Sequence, residues 1–343
     1  MTLICTGDDD TVVAIGANMV STRRRKMENM SRVTTSFVLL GVVEMERFRY
    51  LYSTIAVFVY IITMFICCLI VFVVWTEETL HEPMYIFISN LVFNGMFGSS
   101  TFLPKLVIDL LFGFRTITFS GCLVQSFFLH SFAAVEVFTF TVMAHDRYLA
   151  VGQPLRYPIL MTNSRALKLI TVNWVTAFIV VFIPVTMTAY LPLCGENLNN
   201  VFCENMSLIK LACGDASVNN IFGAVEAFLI DISCLLVIIY CYIRTFIICL
   251  RISKEACQKA IRTLVTHLLA FSTFMIASFF ILLRYRINSG SISLAAHVLI
   301  TIIGLMTPIT VNPIIYGIRT EALKIKILQK FRKMKGQNLG KSF

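Results

Sequence analysis

Charge is what this chain has least of. Asp, Glu, Lys and Arg together make up 14% of its 343 residues, against roughly a quarter in an ordinary soluble domain. Histidine numbers only five, and no two stand at a metal-ligand spacing, so a metal-dependent hydrolase lacks its raw material. Gly-rich phosphate loops are missing as well, which removes nucleotide-driven chemistry. Paired charges inside apolar segments, or a repeated pattern of broken helices, would mark a transporter or channel, and neither is evident. What fills the chain is apolar, 57% of it, and a composition of that kind does not use water as its main solvent.

A hydrocarbon layer about 30 Å thick takes roughly 20 apolar residues per helix at about 1.5 Å of rise each. Seven runs meet that need: Leu51 to Trp75, Pro83 to Pro104, Gly121 to His145, Leu169 to Pro192, Val218 to Ile243, Thr263 to Leu283 and Ser293 to Ile318. Glu136 in the third and Glu226 and Asp231 in the fifth are the acids within them. The runs predict an all-α membrane protein, a seven-transmembrane helix bundle over residues 51–318, with residues 1–50 before it and 319–343 after it.

Basic residues set the orientation. Arg147, Arg156, Arg165 and Lys168 follow the third run, Arg244, Arg251, Lys254, Lys259 and Arg262 join the fifth to the sixth, and more fill the tail. That side is expected in the cytoplasm and the N-terminus outside. The net charge of +10 then reads as a topology signal and an attraction to anionic inner-leaflet lipid, with no nucleic acid implied. Arg23, Arg24, Arg25 and Lys26 oppose this assignment. Residues 1–26 lack a signal-peptide apolar core and stop just before Met27, so they read as an over-extended gene model or an alternative start.

On the outer side, Asn29-Met30-Ser31 and Asn205-Met206-Ser207 are glycosylation acceptors. Of the eleven cysteines, Cys122, Cys194, Cys203 and Cys213 fall where surroundings are oxidising, and four thiols allow three pairings. Cys67, Cys68, Cys234, Cys241, Cys249 and Cys257 lie in or beside the spans or on the inner side, where thiols stay reduced. After the seventh run, Glu321 to Lys335 sets Leu323, Ile325, Ile327, Leu328 and Phe331 against a basic face, a short amphipathic helix for the inner leaflet.

At the inner end of the third run stands Met143-Ala144-His145-Asp146-Arg147-Tyr148, and at that of the seventh Asn312-Pro313-Ile314-Ile315-Tyr316. An Asp beside an Arg at a helix end can hold the guanidinium in a local ion pair, and release of that pair makes a switch. These segments resemble the MAYDRY motif of odorant receptors and the NPxxY motif of rhodopsin-like G-protein-coupled receptors. Leu80-His81-Glu82-Pro83-Met84-Tyr85 resembles the LHEPMY of aquatic-type odorant receptors, while Lys259 to Thr263 and Thr266-His267-Leu268 are similar to the KAxxT and SHL signatures. The resemblance runs from about Asn29 to Lys335.

The resemblance implies a rhodopsin-like receptor that binds a small, water-soluble odorant and activates a stimulatory, olfactory-type heterotrimeric G protein, in the plasma membrane of olfactory cilia. A receptor for a peptide or local mediator is the alternative. It implies a coupling switch of Asp146, Arg147, Tyr148, Tyr240, His267, Asn312, Pro313 and Tyr316, with Tyr240 and Tyr316 as hydroxyl partners of a released Arg147. It pairs Cys122 with Cys203 and Cys194 with Cys213. It places the odorant in the outer halves of spans three, five, six and seven, against His130, Ala133, Ala134 and Phe228 and a span-six face of Met275, Ser278, Phe279, Leu282 and Arg286. That face ends in a cation suited to a carboxylate.

Glu136, about 21 Å below Cys122 at helical rise, matches an acid that in the family is thought to hold a sodium ion with an Asp of span two. The sequence departs from the pattern there, with Asn94-Gly95 in place of the acid. It departs again with Leu264 for a Cys, Met275 for a Tyr, and Cys67 where the superfamily has a mid-helix Asn.

Overall fold

Seven helices carry the apolar runs in a computed structural model that describes residues 35–286 and 293–340. The side chains of Lys259, residues 284–286, Phe331 and residues 333–340 are outside that description. So are the Arg23 to Lys26 stretch, the Asn29 acceptor and the cation of Arg286, which therefore lie outside the described residues. The helices are Arg49–Thr76, Pro83–Phe112, Phe119–Gly152, Asn163–Ala189, Ser217–Cys249, Lys254–Arg286 and Leu294–Arg319, spans one to seven.

Local chemistry starts them. Pro83 occupies the first turn of span two, where its missing N–H costs nothing. The hydroxyls of Thr118, Thr162 and Ser293 accept from the N–H groups of Gly121, Arg165 and Ala296 at 3.2, 3.2 and 3.3 Å, capping spans three, four and seven. Pro104, Pro184, Pro308 and Pro313 sit inside helices without ending them, as packed membrane helices allow. Span two runs past the expected Pro104 to Phe112 and so takes in Lys105 and Asp109. The two are four residues apart and neutralise each other at 2.7 Å, which lets the helix carry both charges. Span six begins at Lys254 rather than Thr263, its first turns being the basic linker itself.

Spans two and three are the most enclosed. Phe87, Leu91, Val92, Phe140, Met143, Phe271, Phe274 and Tyr316 form one buried cluster toward the Arg147 end, and Phe102, Leu106, Leu129, Phe132, Val298 and Ile309 a second toward the disulfide end. Large side chains left uncovered, such as Phe58, Phe182 and Leu236, form the surface that hydrocarbon would cover.

The disulfide end is capped by a small sheet of order β2-β1-β3. Strand β1 (Ser36–Leu39) runs antiparallel to β2 (Thr116–Thr118), with Phe37 opposite Ile117, and parallel to β3 (Asn197–Leu198). Directly after β1, the Gly41 N–H donates to the Asn200 carbonyl at 3.1 Å. A Cβ there would stand 2.6 Å from the Asn200 carbonyl carbon, so this approach needs glycine. Disulfides Cys122–Cys203 and Cys194–Cys213 fasten the same loop. Residues 35–48, expected as part of a plain N-terminal stretch, are thus an integral lid with Phe37, Leu39, Val42 and Met45 buried.

The acceptor at Asn205 is a correction. Asn205 opens the short helix Asn205–Ile209 with its side chain packed inward, 7% exposed, which leaves no room for a glycan. At the opposite end the terminal helix continues beyond Lys335, over Glu321–Gly340. Leu323 is fully buried beneath it, and Lys326 and Lys330 reach Glu77 at 3.2 and 3.5 Å. Those contacts, the Lys326 hydrogen bond above all, hold the Glu77 carboxyl below the usual carboxylate range.

The contact between spans two and three makes a prediction. A Cβ on Gly98 would lie 2.6 Å from the Phe132 ring, whereas nothing comes within 4 Å of one on Gly223. Gly98→Val is expected to destabilise the receptor by about 1–3 kcal/mol or more through overpacking, while Gly223→Ala leaves it unchanged or slightly more stable. Thermal unfolding of the purified receptor tests both, and equal midpoints for the two variants would contradict the close packing.

Candidate functional site

Two polar centres lie along span three. The deeper one is built on Glu136, 1% exposed. Its carboxylate accepts from Asn94 Nδ2 at 2.7 Å and from Asn312 Nδ2 at 2.5 Å, joining span three to spans two and seven. Asn94 also donates to the Phe132 carbonyl at 3.0 Å. Its Oδ1 and that of Asn312 are buried without a hydrogen-bond partner. One turn lower, Asn90 donates to Thr139 at 3.0 Å and accepts from the Trp174 indole at 2.9 Å, bringing in span four. In the sequence Asn94 stands out only as a departure from the family's acid, and Asn90 and Trp174 belong to none of the motifs. Asn90, Asn94 and Gly98 stand four residues apart on one face of the helix, which is the signal that could have found them.

The second centre is at the end of the helix. Both Nε, at 2.9 Å, and Nη2 of Arg147 donate to Oδ2 of its neighbour Asp146. The other carboxylate oxygen accepts from the Tyr157 hydroxyl at 2.7 Å. Asp146 is buried, and Tyr157 sits in the one-turn helix Tyr157–Leu160 that follows span three. Burial, and then the Asp146 charge, push the Tyr157 hydroxyl above the usual phenol range, so it stays protonated and donating. Tyr157 was not singled out from sequence; it is a tyrosine eleven residues beyond an acid whose partner was already assigned to Arg147.

Nearby, His267 of span six meets the Tyr316 hydroxyl of span seven at 3.2 Å, both side chains buried. Asn312 and Pro313 lie above Tyr316 on the same inward face. Tyr148 packs edge to face on Tyr240 with ring centroids 6.2 Å apart. Tyr240 itself is 56% exposed on the outer side of span five, and it is Tyr242 that packs into the core against the cluster around Tyr316. Tyr240, expected as a hydroxyl partner of Arg147, thus stands outside the packed bundle, and Tyr242, two residues and roughly 200° further round the helix, stands inside it.

The odorant-facing residues expected near the disulfide end are brought together only in part. His130, Ala133 and Ala134 are half-buried on span three, and the His130 ring bonds to the Ser126 carbonyl of its own helix at 2.8 Å. Phe228 is exposed on span five. On span six the packed face carries His267, Ala270, Phe271, Phe274 and Ala277, and Ser278 and Met275 flank it, half-buried. Phe279 and Leu282 are 59% and 53% exposed. The expected stripe is thus rotated by about 100° from the face that packs inward. The helix is apolar on nearly every side, so its hydrophobic pattern carried no phase.

The family model described as "Olfactory receptor" matches residues 56–334. Olfactory receptor 10G3 of Homo sapiens is 33% identical over 305 residues, 88% of this chain and 96% of that protein. Olfactory receptor 52N4 of the same organism is 33% identical over 315 residues, 90% of this chain and 97% of its own length. Seven membrane-length helices, a disulfide from span three to the loop before span five, and an Asp-Arg pair beneath a buried carboxylate fit that match, and the chain belongs to the olfactory receptor family, a family of seven-span G-protein-coupled receptors and not of enzymes.

Proposed function

We propose that the disulfide end faces the outside of a sensory cell, takes up a small, water-soluble odorant within the outer half of spans three, five, six and seven, and relays its presence to a stimulatory heterotrimeric G protein at the Arg147 end. The observation that carries the reading is the closed state of the Asp146 pair. Arg147 is the one cation on the inward side of span three at the end where a G protein would dock, and it is held by Asp146, which Tyr157 holds in turn. An odorant that favours separation of spans five and six from span three would free the guanidinium, and Tyr242 and Tyr316 lie on the packed faces it would turn toward. The resemblance of Leu80 to Tyr85 to the LHEPMY of aquatic-type receptors supports the choice of a ligand that travels in water.

A sodium ion beside Glu136 is part of the same proposal. Hard cations take oxygen ligands, and the buried, unpartnered Oδ1 atoms of Asn94 and Asn312 next to the Glu136 carboxylate supply a fitting set. These three residues would hold it, and it would neutralise the carboxylate in the resting bundle.

Three outcomes follow from these assignments. In cells reporting cAMP against a panel of water-soluble odorants, at least one odorant should raise the signal, and Arg147→Ala at equal surface expression should abolish it; retained coupling in that variant would remove Arg147 from the switch. Tyr157→Phe deletes a hydrogen bond to a charged group, a contribution of about 1.5–3 kcal/mol, so the resting state loses roughly tenfold or more in population relative to the active one and unstimulated cAMP should rise. An unchanged baseline would mean that Tyr157 does not restrain Arg147. The thermal midpoint should be higher in sodium chloride than in choline chloride, with the difference lost in Glu136→Gln; equal midpoints for the native receptor in both salts would exclude sodium.

A further inference from the structure

A cavity of about 640 Å³ opens between spans two and three at the disulfide end, away from the Glu136 centre and from the span-six face. Its two ends differ in chemistry. Phe97 and Phe128 wall the deeper end, and Lys105, Thr116 and Thr118 line the other. Phe97 and Lys105 are separated by about 12 Å at helical rise. The aromatic wall is continuous, since Phe97 lies 5.5 Å from Phe128 and 5.3 Å from Trp174 between ring centroids.

The polar end fixes the class of occupant. Lys105 Nζ gives two of its protons to Asp109, at 2.9 and 2.7 Å, and Asp109 is buried, so the ammonium charge is already cancelled. Its remaining contact, with the Thr116 carbonyl, is 3.5 Å long, which leaves a proton to offer to a better acceptor. The Thr118 hydroxyl accepts from the Gly121 N–H at 3.2 Å, so its own hydrogen is free to be donated. A ligand carboxylate would have to share Lys105 with a buried anion, and like charges so close disfavour each other. A neutral oxygen acceptor meets the same donors without that repulsion.

We propose that this cavity is a second ligand site, apart from the odorant site of the preceding proposal, for a neutral medium-chain amphiphile carrying one oxygen function, an alcohol, aldehyde or ester. The oxygen lies at Lys105 and Thr118, and the chain runs down onto Phe97 and Phe128. Val124 is 54% exposed and forms the mouth. Gln125, also in the lining, connects the site to the loop above. It donates to the Thr101 carbonyl at 3.2 Å and accepts from the Cys203 N–H at 2.9 Å. An occupant therefore touches the side chain that sets the distance between span two and the disulfide loop.

The test is photolabelling of the full-length receptor in lipid nanodiscs with a diazirine analogue of 1-octanol, read by peptide mapping and independent of any signalling assay. Saturable label is expected on the segments 97–105 and 116–128, competed by octanol and not by octanoate. Val124→Trp, which fills the mouth from an exposed position, should remove at least nine-tenths of it at an unchanged thermal midpoint. Ser100→Phe, from the opposite wall, gives the same reading if the first variant does not fold. Label that fails to saturate, that falls elsewhere or that survives both variants overturns the site. Octanoate competing as well as octanol overturns the neutral class.

Discussion

A carboxylate in the middle of a bilayer-thick bundle costs about 3 kcal/mol on insertion scales unless something receives it. Glu136 is received from two sides, by Asn94 of span two and Asn312 of span seven. The rest of the inner half is arranged around that need. Because two amides must reach one carboxylate, spans two, three and seven are held at fixed depth relative to one another, and the Gly98 contact with Phe132 lets spans two and three approach closely enough for it. Asn90, Thr139 and Trp174 repeat the arrangement one turn lower and bring in span four. Removing either amide would leave a buried carboxyl oxygen short of a donor, a larger loss than the hydrogen bond alone.

The contacts that fix Glu136 are unevenly shared among the spans. Spans two, three, four and seven share inward polar contacts, two disulfides bind the loop beside them, and β1 is threaded between β2 and β3 above. Spans five and six present mainly apolar faces, and the Tyr316 contact of His267 is a neutral hydrogen bond that can exchange partners without stranding a charge. A ligand that shifts an equilibrium must bind one state better than the other, and a bundle with one rigid half converts such a preference into motion of the other half. Arg147 lies at the border of the polar-bonded spans, on span three and paired with Asp146.

What could be read in the sequence divides along a physical line. Span number and order were legible because hydrocarbon demands unbroken apolar runs, and the pairing of the four outer cysteines came with the family resemblance where spacing alone left three choices. Rotation of the helices was not legible. In water an amphipathic stripe marks the buried face, but a membrane helix is apolar toward lipid and toward its neighbours alike. The family resemblance sets Met275, Phe279 and Leu282 on a face some 100° from the packed one and points to Tyr240 rather than Tyr242, and no apolar stripe in either helix opposes it. The lid of residues 35–48 escaped for another reason, since its strand pairs with partners some eighty and one hundred and sixty residues away that no local pattern announces.

Polar and small residues keep the phase information that apolar ones lose. Asn90, Asn94 and Gly98 mark the inward line of span two, Glu136 and Thr139 that of span three, and Asn312 with Tyr316 that of span seven. A buried polar group needs a partner and a close helix contact needs a missing side chain, so either requirement points a helix at its neighbour. Spans five and six carry few such markers on their packed faces beyond Thr245, Thr266 and His267, all toward the Arg147 end. Their outer halves are therefore least constrained by buried polarity where an odorant would be recognised. Side chains of that region can then change without disturbing the contacts that hold spans two, three and seven together.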